Sequence, residues 1–208
     1  MDVSGMKLGV DLGGTKIEAI VLADEGSVTW RHRVSTPQGD YQATLSVIST
    51  LVKQAKRAAG MSDSQSVGIG TPGALTASSL DGVPVMKNCN STVLNGQPLA
   101  QDLRALLSCP VYVANDANCF TLAETLSGQG RRLFPNQRPE SVFGVILGTG
   151  VGGGIVIGDR LLCGRQSIAG EWGHNKLPSA VLNVLPPNET GRACYCGRQD
   201  CIETYVSG

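Results

Sequence analysis

The stretch Lys7-Leu8-Gly9-Val10-Asp11-Leu12-Gly13-Gly14-Thr15-Lys16-Ile17-Glu18-Ala19-Ile20-Val21-Leu22 carries two apolar runs on either side of a glycine-rich turn. Residues 7–10 and 16–22 read as strands, and Gly13-Gly14 supplies the backbone freedom to join them. Further on, residues 41–57 place Tyr41, Leu45, Ile48, Val52 and Ala55 at helical spacing, and Gly60 stands where a helix would stop. Residues 67–70 read as a short strand ending in the turn Thr71-Pro72-Gly73. Residues 99–107 read as a helix, 111–114 as a strand and 116–126 as a helix. Residues 142–147 form a buried strand, resumed after a glycine run at 155–157, and the proline- and arginine-bearing residues 131–140 read as a surface loop. Strands alternating with helices indicate an α/β architecture. The pattern of strand, glycine turn and strand at residues 9–22 recurs at 142–157, a sign of duplicated halves.

Composition bounds the function. With 208 residues, 41% hydrophobic and 16% charged, the chain suits one or two globular domains with a sizeable core. A formal net charge of zero gives no electrostatic footprint for nucleic acid or an anionic membrane. No apolar run approaches the roughly 20 residues needed to span a bilayer. Met1-Asp2-Val3-Ser4-Gly5 lacks the basic-then-apolar pattern of a secretory signal. Three of the seven cysteines cluster at Cys194, Cys196 and Cys201, which favours metal ligation in a reducing compartment over a disulfide framework. The expected address is the cytoplasm.

The run Gly148-Thr149-Gly150-Val151-Gly152-Gly153-Gly154 matches G-x-G-x-x-G at Gly148, Gly150 and Gly153. A dinucleotide site needs a helix next. Ile155-Val156-Ile157-Gly158-Asp159 reads as strand and turn, so that reading fails. Neither glycine turn is followed by G-K-[ST], so a P-loop does not fit. What remains is either a plain tight hairpin or a turn whose amides face phosphate oxygens. Two such turns, one flanked by Asp11, Thr15 and Lys16, favour phosphate, and an aspartate there suits hydrated Mg²⁺.

His174, Cys194, Cys196 and Cys201 make a Cys₃His set, a closed tetrahedron for zinc. Four protein ligands leave no position for a reacting water, so the expected zinc is structural and helps fold a loop poor in apolar side chains. The alternative is three incidental cysteines and an unrelated histidine. His32, within Trp30-Arg31-His32-Arg33, reads as exposed and non-ligating. Glu171 lies three residues before His174 and Glu203 two after Cys201. A zinc fixing both segments would fix both carboxylates, and such a pair suits the vicinal hydroxyls of a sugar; two surface glutamates are the bland alternative. Asp116 sits at a strand end and helix start, as a helix cap or as a general base toward a hydroxyl. Open α/β sheets bind ligands at the carboxyl ends of strands.

Taken together, Asp11-Leu12-Gly13-Gly14-Thr15-Lys16, Asn115-Asp116-Ala117-Asn118, Leu147 with the glycine run to Gly154, Gly170-Glu171-Trp172-Gly173-His174, and Cys194-Tyr195-Cys196-Gly197 through Cys201-Ile202-Glu203 resemble the ROK family (repressors, open reading frames and kinases). The resemblance runs from about Lys7 to Gly208. It implies a two-domain actin-like, ribonuclease H-like ATPase fold with a sugar in the interdomain cleft. It implies that Gly9, Asp11, Gly13, Gly14, Thr15 and Lys16, with Gly148, Thr149, Gly150, Gly152, Gly153 and Gly154, serve MgATP. By the same resemblance Asp116 is the catalytic base; Asn90, Asn115, Asp116, Glu171, His174 and Glu203 bind the sugar; and His174, Cys194, Cys196 and Cys201 bind structural zinc.

The segment Lys87-Asn88-Cys89-Asn90-Ser91-Thr92 with Leu94-Asn95-Gly96-Gln97-Pro98 looks most like the bacterial fructokinases of the family. The expected reaction is therefore phosphorylation of a hexose at its 6-hydroxyl, fructose first, with N-acetylglucosamine and glucose as alternatives. The non-enzymatic alternatives are a repressor, which needs a DNA-binding domain ahead of residue 7, and a zinc-stabilised sugar-binding module. The expected partner is a sugar, with no nucleic acid or membrane, in a possible homodimer. Three departures stand out. Asp200 occupies a zinc-loop position where the family has glycine, and Thr71 replaces an aliphatic residue in the Gly-x-Pro-Gly turn. The family also continues beyond the position of Gly208 with the segments that hold adenosine. The expected domains are thus 1–115 and 116–208, the second incomplete.

Overall fold

The computed structural model describes residues 5–77 and 82–208, which fall into two units, Met1–Asp116 and Ala117–Gly208. In the first unit β1 (Lys7–Leu12) and β2 (Lys16–Leu22) form an antiparallel hairpin around Gly13-Gly14-Thr15. Leu8, Val10 and Leu12 are buried at every second position, as one face of a strand requires. After β3 (Val28–Ser35) comes α1 (Tyr41–Ala59), capped by the Asp40 carboxylate on the Ala43 N–H at 2.9 Å. Such a cap contributes about 1 kcal/mol. Gly60 closes α1 in the left-handed conformation, at φ 66°. The helix buries Leu45, Ile48, Val52 and Ala55, the stripe expected from their spacing. Next follow β4 (Val67–Thr71), β5 (Ala74–Ala77), β6 (Pro84–Lys87), α2 (Leu99–Leu107) and β7 (Val111–Asn115).

The main sheet has the order β3-β2-β1-β4-β7. Parallel strands need crossover connections, and α1 and α2 provide them. Their buried faces join Ile17, Val21 and Ile69 in one core with Ile48 and Leu103. The parallel register sets Asp11 opposite Gly70, Gly70 opposite Ala114, and Thr71 opposite Asn115. Three strand ends therefore come level at the carboxyl edge.

Two strand pairs escape the sequence reading. β3 is an edge strand whose side chains are mostly exposed, so it lacks the alternation that marks a strand. Its Arg31 and Arg33 instead pair with the carboxylate of Glu18 on β2, which is buried. β5 and β6 form an antiparallel hairpin of four-residue strands, too short to show a period.

In the second unit, α3 (Asp116–Leu126) leads into α4 (Gln129–Leu133), β8 (Ser141–Leu147), β9 (Val151–Ile157) and β10 (Arg160–Leu161). The short helices α5 (Ser179–Leu182) and α6 (Glu203–Val206) follow. The strands form an antiparallel sheet of order β10-β9-β8. Three expectations are corrected here, the first being the buried strand at 142–147: Phe143, Val145 and Leu147 of β8 are exposed. The start of the loop expected at 131–140 is helical, as part of α4. Only residues 148–150 of the glycine run separate the two strands: Gly152, Gly153 and Gly154 lie inside β9, opposite Ile146, Val145 and Gly144.

Packing explains those strand glycines. A Cβ on Gly154 would lie 2.6 Å from Thr121 Oγ1 and 2.9 Å from the Ala117 carbonyl, both on α3. A Cβ on Gly153 would lie 2.9 Å from the Phe143 ring and from Trp172. One on Gly170 would lie 2.6 Å from the Gly154 Cα. Backbone rests on backbone here. Among the described residues, no helix is long and apolar enough to cross a membrane.

Gly170→Ala should therefore destabilise the protein by about 2 kcal/mol, because the obstructing atoms are main chain and cannot swing away. Gly148→Ala, with nothing within 4 Å of its Cβ, should change stability by less than about 0.5 kcal/mol. Thermal or urea unfolding of the two variants checks both.

Candidate functional site

In the first unit the turn between β1 and β2 has its carbonyls tied off. Thr36 Oγ1 donates to the Gly13 carbonyl at 2.8 Å and Gln38 Nε2 to that of Gly14 at 2.7 Å. The Thr36 amide donates to the Thr15 carbonyl at 3.0 Å. With these oxygens engaged, less negative charge opposes an incoming phosphate, and glycine lets it approach the backbone. Thr15 and Lys16 are exposed beside the turn, while Gly9 lies within β1 opposite Ile20. The Asp11 carboxyl is held above the usual carboxylate range by desolvation and then by the charge of Glu18, against the lowering effect of Arg33. A divalent cation beside it would favour the ionised form.

The neighbouring strand ends carry the other predicted residues of this unit. Asn115 Nδ2 donates to the Gly73 carbonyl at 2.9 Å, which fixes the end of β7 against the turn after β4. Asp116 is the first residue of α3. The thiol of Cys89 is buried, donates to the Pro72 carbonyl at 3.1 Å, and is pushed up to about 12 by burial and then by the charge of Asp116. Asn90 is exposed, its side-chain oxygen accepting from the Ser91 amide at 2.8 Å. Asn95 holds the same loop, accepting from the Cys89 N–H at 2.9 Å and donating to its carbonyl at 3.1 Å.

In the second unit the four expected zinc ligands come together. The ligand atoms of His174, Cys194, Cys196 and Cys201 all lie within 4.8 Å of one another. His174 Nδ1 is 3.5 Å from Cys194 Sγ, and Cys196 Sγ is 3.6 Å from Cys201 Sγ. A zinc tetrahedron with bonds of about 2.3 Å to sulfur and 2.0 Å to nitrogen has edges of roughly 3.5 to 3.8 Å. The donor set therefore fits zinc in chemistry, and these two edges match its spacing. Cys201 is fully buried and its thiol is pushed up to about 12 by burial, reinforced by Cys196 and Cys194. At Cys196 desolvation acts upward, but the Arg198 backbone N–H and guanidinium, with the neighbouring thiols, outweigh it and lower the group to about 7.

His174 Nε2 lies 2.9 Å from the Tyr195 hydroxyl, with the rings edge to face at 5.1 Å between centroids. A proton on Nε2 leaves the Nδ1 lone pair for a metal, the usual way an outer contact sets a histidine ligand. The Tyr195 hydroxyl is raised above its ordinary range by burial and then by Glu203, Cys194, Glu171 and Cys196.

The two predicted carboxylates take different places. Glu203 is buried; its Oε2 accepts the Val151 N–H at 2.8 Å, and its backbone N–H donates to the Gly173 carbonyl at 2.8 Å. It thereby anchors the hairpin tip formed by Gly148, Thr149 and Gly150. Glu171 is half-buried and its Oε1 accepts the Gly173 N–H at 3.0 Å. Trp172 Nε1 donates to the Gly152 carbonyl at 2.9 Å. Sequence reasoning missed Thr36, Gln38 and Tyr195. The first two act on a turn more than 20 positions away, and nothing local marks them. Tyr195 carried a signal, because a residue between two zinc ligands has little freedom.

The parallel strands flanked by crossover helices, with a glycine turn at the first hairpin, define an actin-like ATPase fold. Residues 7–208 match the ROK family, and the chain belongs to it. It is 40% identical over 203 residues to an N-acetyl-D-glucosamine kinase of Yersinia pestis, covering 98% of this chain and 75% of that protein. It is 41% identical to the N-acetyl-D-glucosamine kinase of Pectobacterium atrosepticum, covering 98% of this chain and 63% of that one. A ROK family glucokinase from Streptomyces griseus, solved with glucose and AMPPNP, is 32% identical with a TM-score of 0.72, covering 98% and 57%. The chain thus spans less than two thirds of the length of most of the curated relatives it resembles.

The zinc assignment predicts about one zinc per chain in freshly purified protein. Cys201→Ser should lose most of it, since a hydroxyl is a poor ligand and the position is fully buried. Elemental analysis of the two proteins checks this.

Proposed function

We propose that this chain belongs to an ATP-dependent hexose kinase that phosphorylates the sugar 6-hydroxyl, with N-acetylglucosamine as the favoured acceptor. The observation that carries this reading is the 40% identity to N-acetyl-D-glucosamine kinases over 203 residues. Fructose, the acceptor expected from sequence, is the second reading. It is supported by residues 87–98, whose pattern resembles fructokinases and whose Asn95 and Cys89 order a loop around Asn90. The cytoplasm is the proposed compartment, because zinc ligation needs reduced thiols.

In this reading Asp116 accepts the proton of the 6-hydroxyl while that oxygen attacks the γ-phosphorus of ATP, and ADP leaves. Glu171 and Glu203 orient the sugar through hydrogen bonds to its hydroxyls, and His174 joins them through Nε2 in exchange for its bond to the Tyr195 hydroxyl. The amides of the two glycine turns hold the phosphates, and Lys16 adds positive charge. Asp11 would hold Mg²⁺, which would supply neutralisation of the phosphate charge. Positioning and charge stabilisation provide most of the acceleration in phosphoryl transfer. The zinc cluster holds His174 and the segment leading to Glu203 and performs no chemistry.

Asp116→Asn separates the base from the cap, because asparagine caps a helix as well as aspartate but takes up no proton. The variant should lose about 10² to 10⁴-fold in kcat with sugar KM little changed. Near-normal turnover removes the base assignment. A coupled ATP-consumption assay of the full-length protein over N-acetylglucosamine, fructose, mannose and glucose decides the acceptor, and absence of turnover with every sugar overturns the kinase reading.

A further inference from the structure

Asp200 adopts left-handed backbone, with φ 57°, a conformation that favours glycine. It is also buried, and an aspartate there needs partners for its carboxylate. It has three at one oxygen. Oδ1 accepts the Gly191 N–H at 2.7 Å, the Arg192 N–H at 3.1 Å and the Tyr205 hydroxyl at 2.5 Å. Its main chain adds two more bonds: its N–H donates to the Arg192 carbonyl at 2.9 Å, and its carbonyl accepts the Leu177 N–H at 2.7 Å.

These contacts connect three things that must agree. Gly191 and Arg192 enter the loop that carries Cys194 and Cys196, so the carboxylate closes that loop at its base. Leu177 follows the segment of His174, and Cys201 is the next residue. Tyr205 lies on α6, the helix that begins with Glu203. Arg192 clamps the same helix, its guanidinium 4.4 Å from the Tyr205 ring centroid and its Nη1 donating to the Thr204 carbonyl at 2.8 Å. The rotation of α6 sets the aim of the Glu203 carboxylate at Val151. A glycine at position 200 would keep the backbone turn and lose every carboxylate contact.

We infer that Asp200 is a positioning residue that couples the zinc loop to Glu203, so that this chain sets its acceptor carboxylate through a contact that glycine at this position does not make. The functional half rests on the kinase reading above; the zinc half stands without it. Groups hydrogen-bonded to a metal ligand typically matter 10- to 100-fold in metal affinity, and Asp200, which bonds the backbone beside the ligands, belongs at the low end of that range.

The test uses the zinc-loaded protein and its Asp200→Asn, Asp200→Gly and Tyr205→Phe variants. Excess EDTA should withdraw zinc about tenfold faster from Asp200→Gly, and by a smaller factor from Asp200→Asn, which keeps one acceptor oxygen, and from Tyr205→Phe, which keeps the two amide bonds. The sugar KM of Asp200→Gly should rise about tenfold with kcat within about twofold, the signature of a displaced binding group. Should the Asp200 variants fail to fold, Tyr205→Phe alone carries the same two readouts. Zinc release at the unmodified rate overturns the inference. So does faster release with unchanged KM, or a fall in melting temperature and kcat with KM unmoved, since those outcomes describe a structural residue only. If the unmodified protein phosphorylates no sugar, the kinase reading fails while zinc release still judges Asp200.

Discussion

The bond from the Val151 N–H to the Glu203 carboxylate, 2.8 Å long and buried, is the contact on which the second unit turns. A buried carboxylate needs donors, and a buried amide at the start of a strand needs an acceptor. Each satisfies the other. Because Glu203 stands two residues past Cys201, anything that fixes the cysteine cluster also fixes this acid. Because Val151 opens β9, the acid in turn fixes the hairpin tip at Gly148 to Gly150. Glu203 therefore has two duties, one to the strand and one proposed toward a sugar, and its second oxygen is the one left for the latter.

Close backbone contact is the other constraint in that unit. Gly153, Gly154 and Gly170 let a loop and α3 approach β9 more nearly than any side chain would permit. The edge-to-face contact of Phe143 with Trp172, and the Trp172 bond to the Gly152 carbonyl, fill the space beside them. Glycine abundance in this chain thus has two separate causes. At the hairpin tips it frees the backbone for a turn, and within β9 it removes atoms that would collide. A motif pattern cannot separate these, since both look like consecutive glycines.

The elements that were legible in advance are those with a strong period. Tyr41, Leu45, Ile48, Val52 and Ala55 mark α1 because only a helix puts them on one side, and Gly60 marks its end because φ 66° suits glycine. β3 was illegible because an edge strand with arginines on it has no apolar alternation, and its partner Glu18 is visible only once β2 lies beside it. The zinc set was legible because cysteine density is chemical information that needs no fold. The Cα path that brings His174 to those thiols was not, since Cys194 lies 20 positions further on and α5 intervenes.

For this protein the sequence by itself determined the α/β class, the positions of the main helices, the members of the Cys₃His cluster and the family. Each rests on local spacing or on residue chemistry, and both survive without knowledge of the fold. Only the tertiary structure decided that the second half of the glycine run is strand, that Thr36 and Gln38 engage the carbonyls of the first turn, and that Asp200 ties the cysteine loop to α6. Those facts depend on atoms far apart in the chain meeting at hydrogen-bond or van der Waals distance, and such meetings leave no periodic trace in the order of residues.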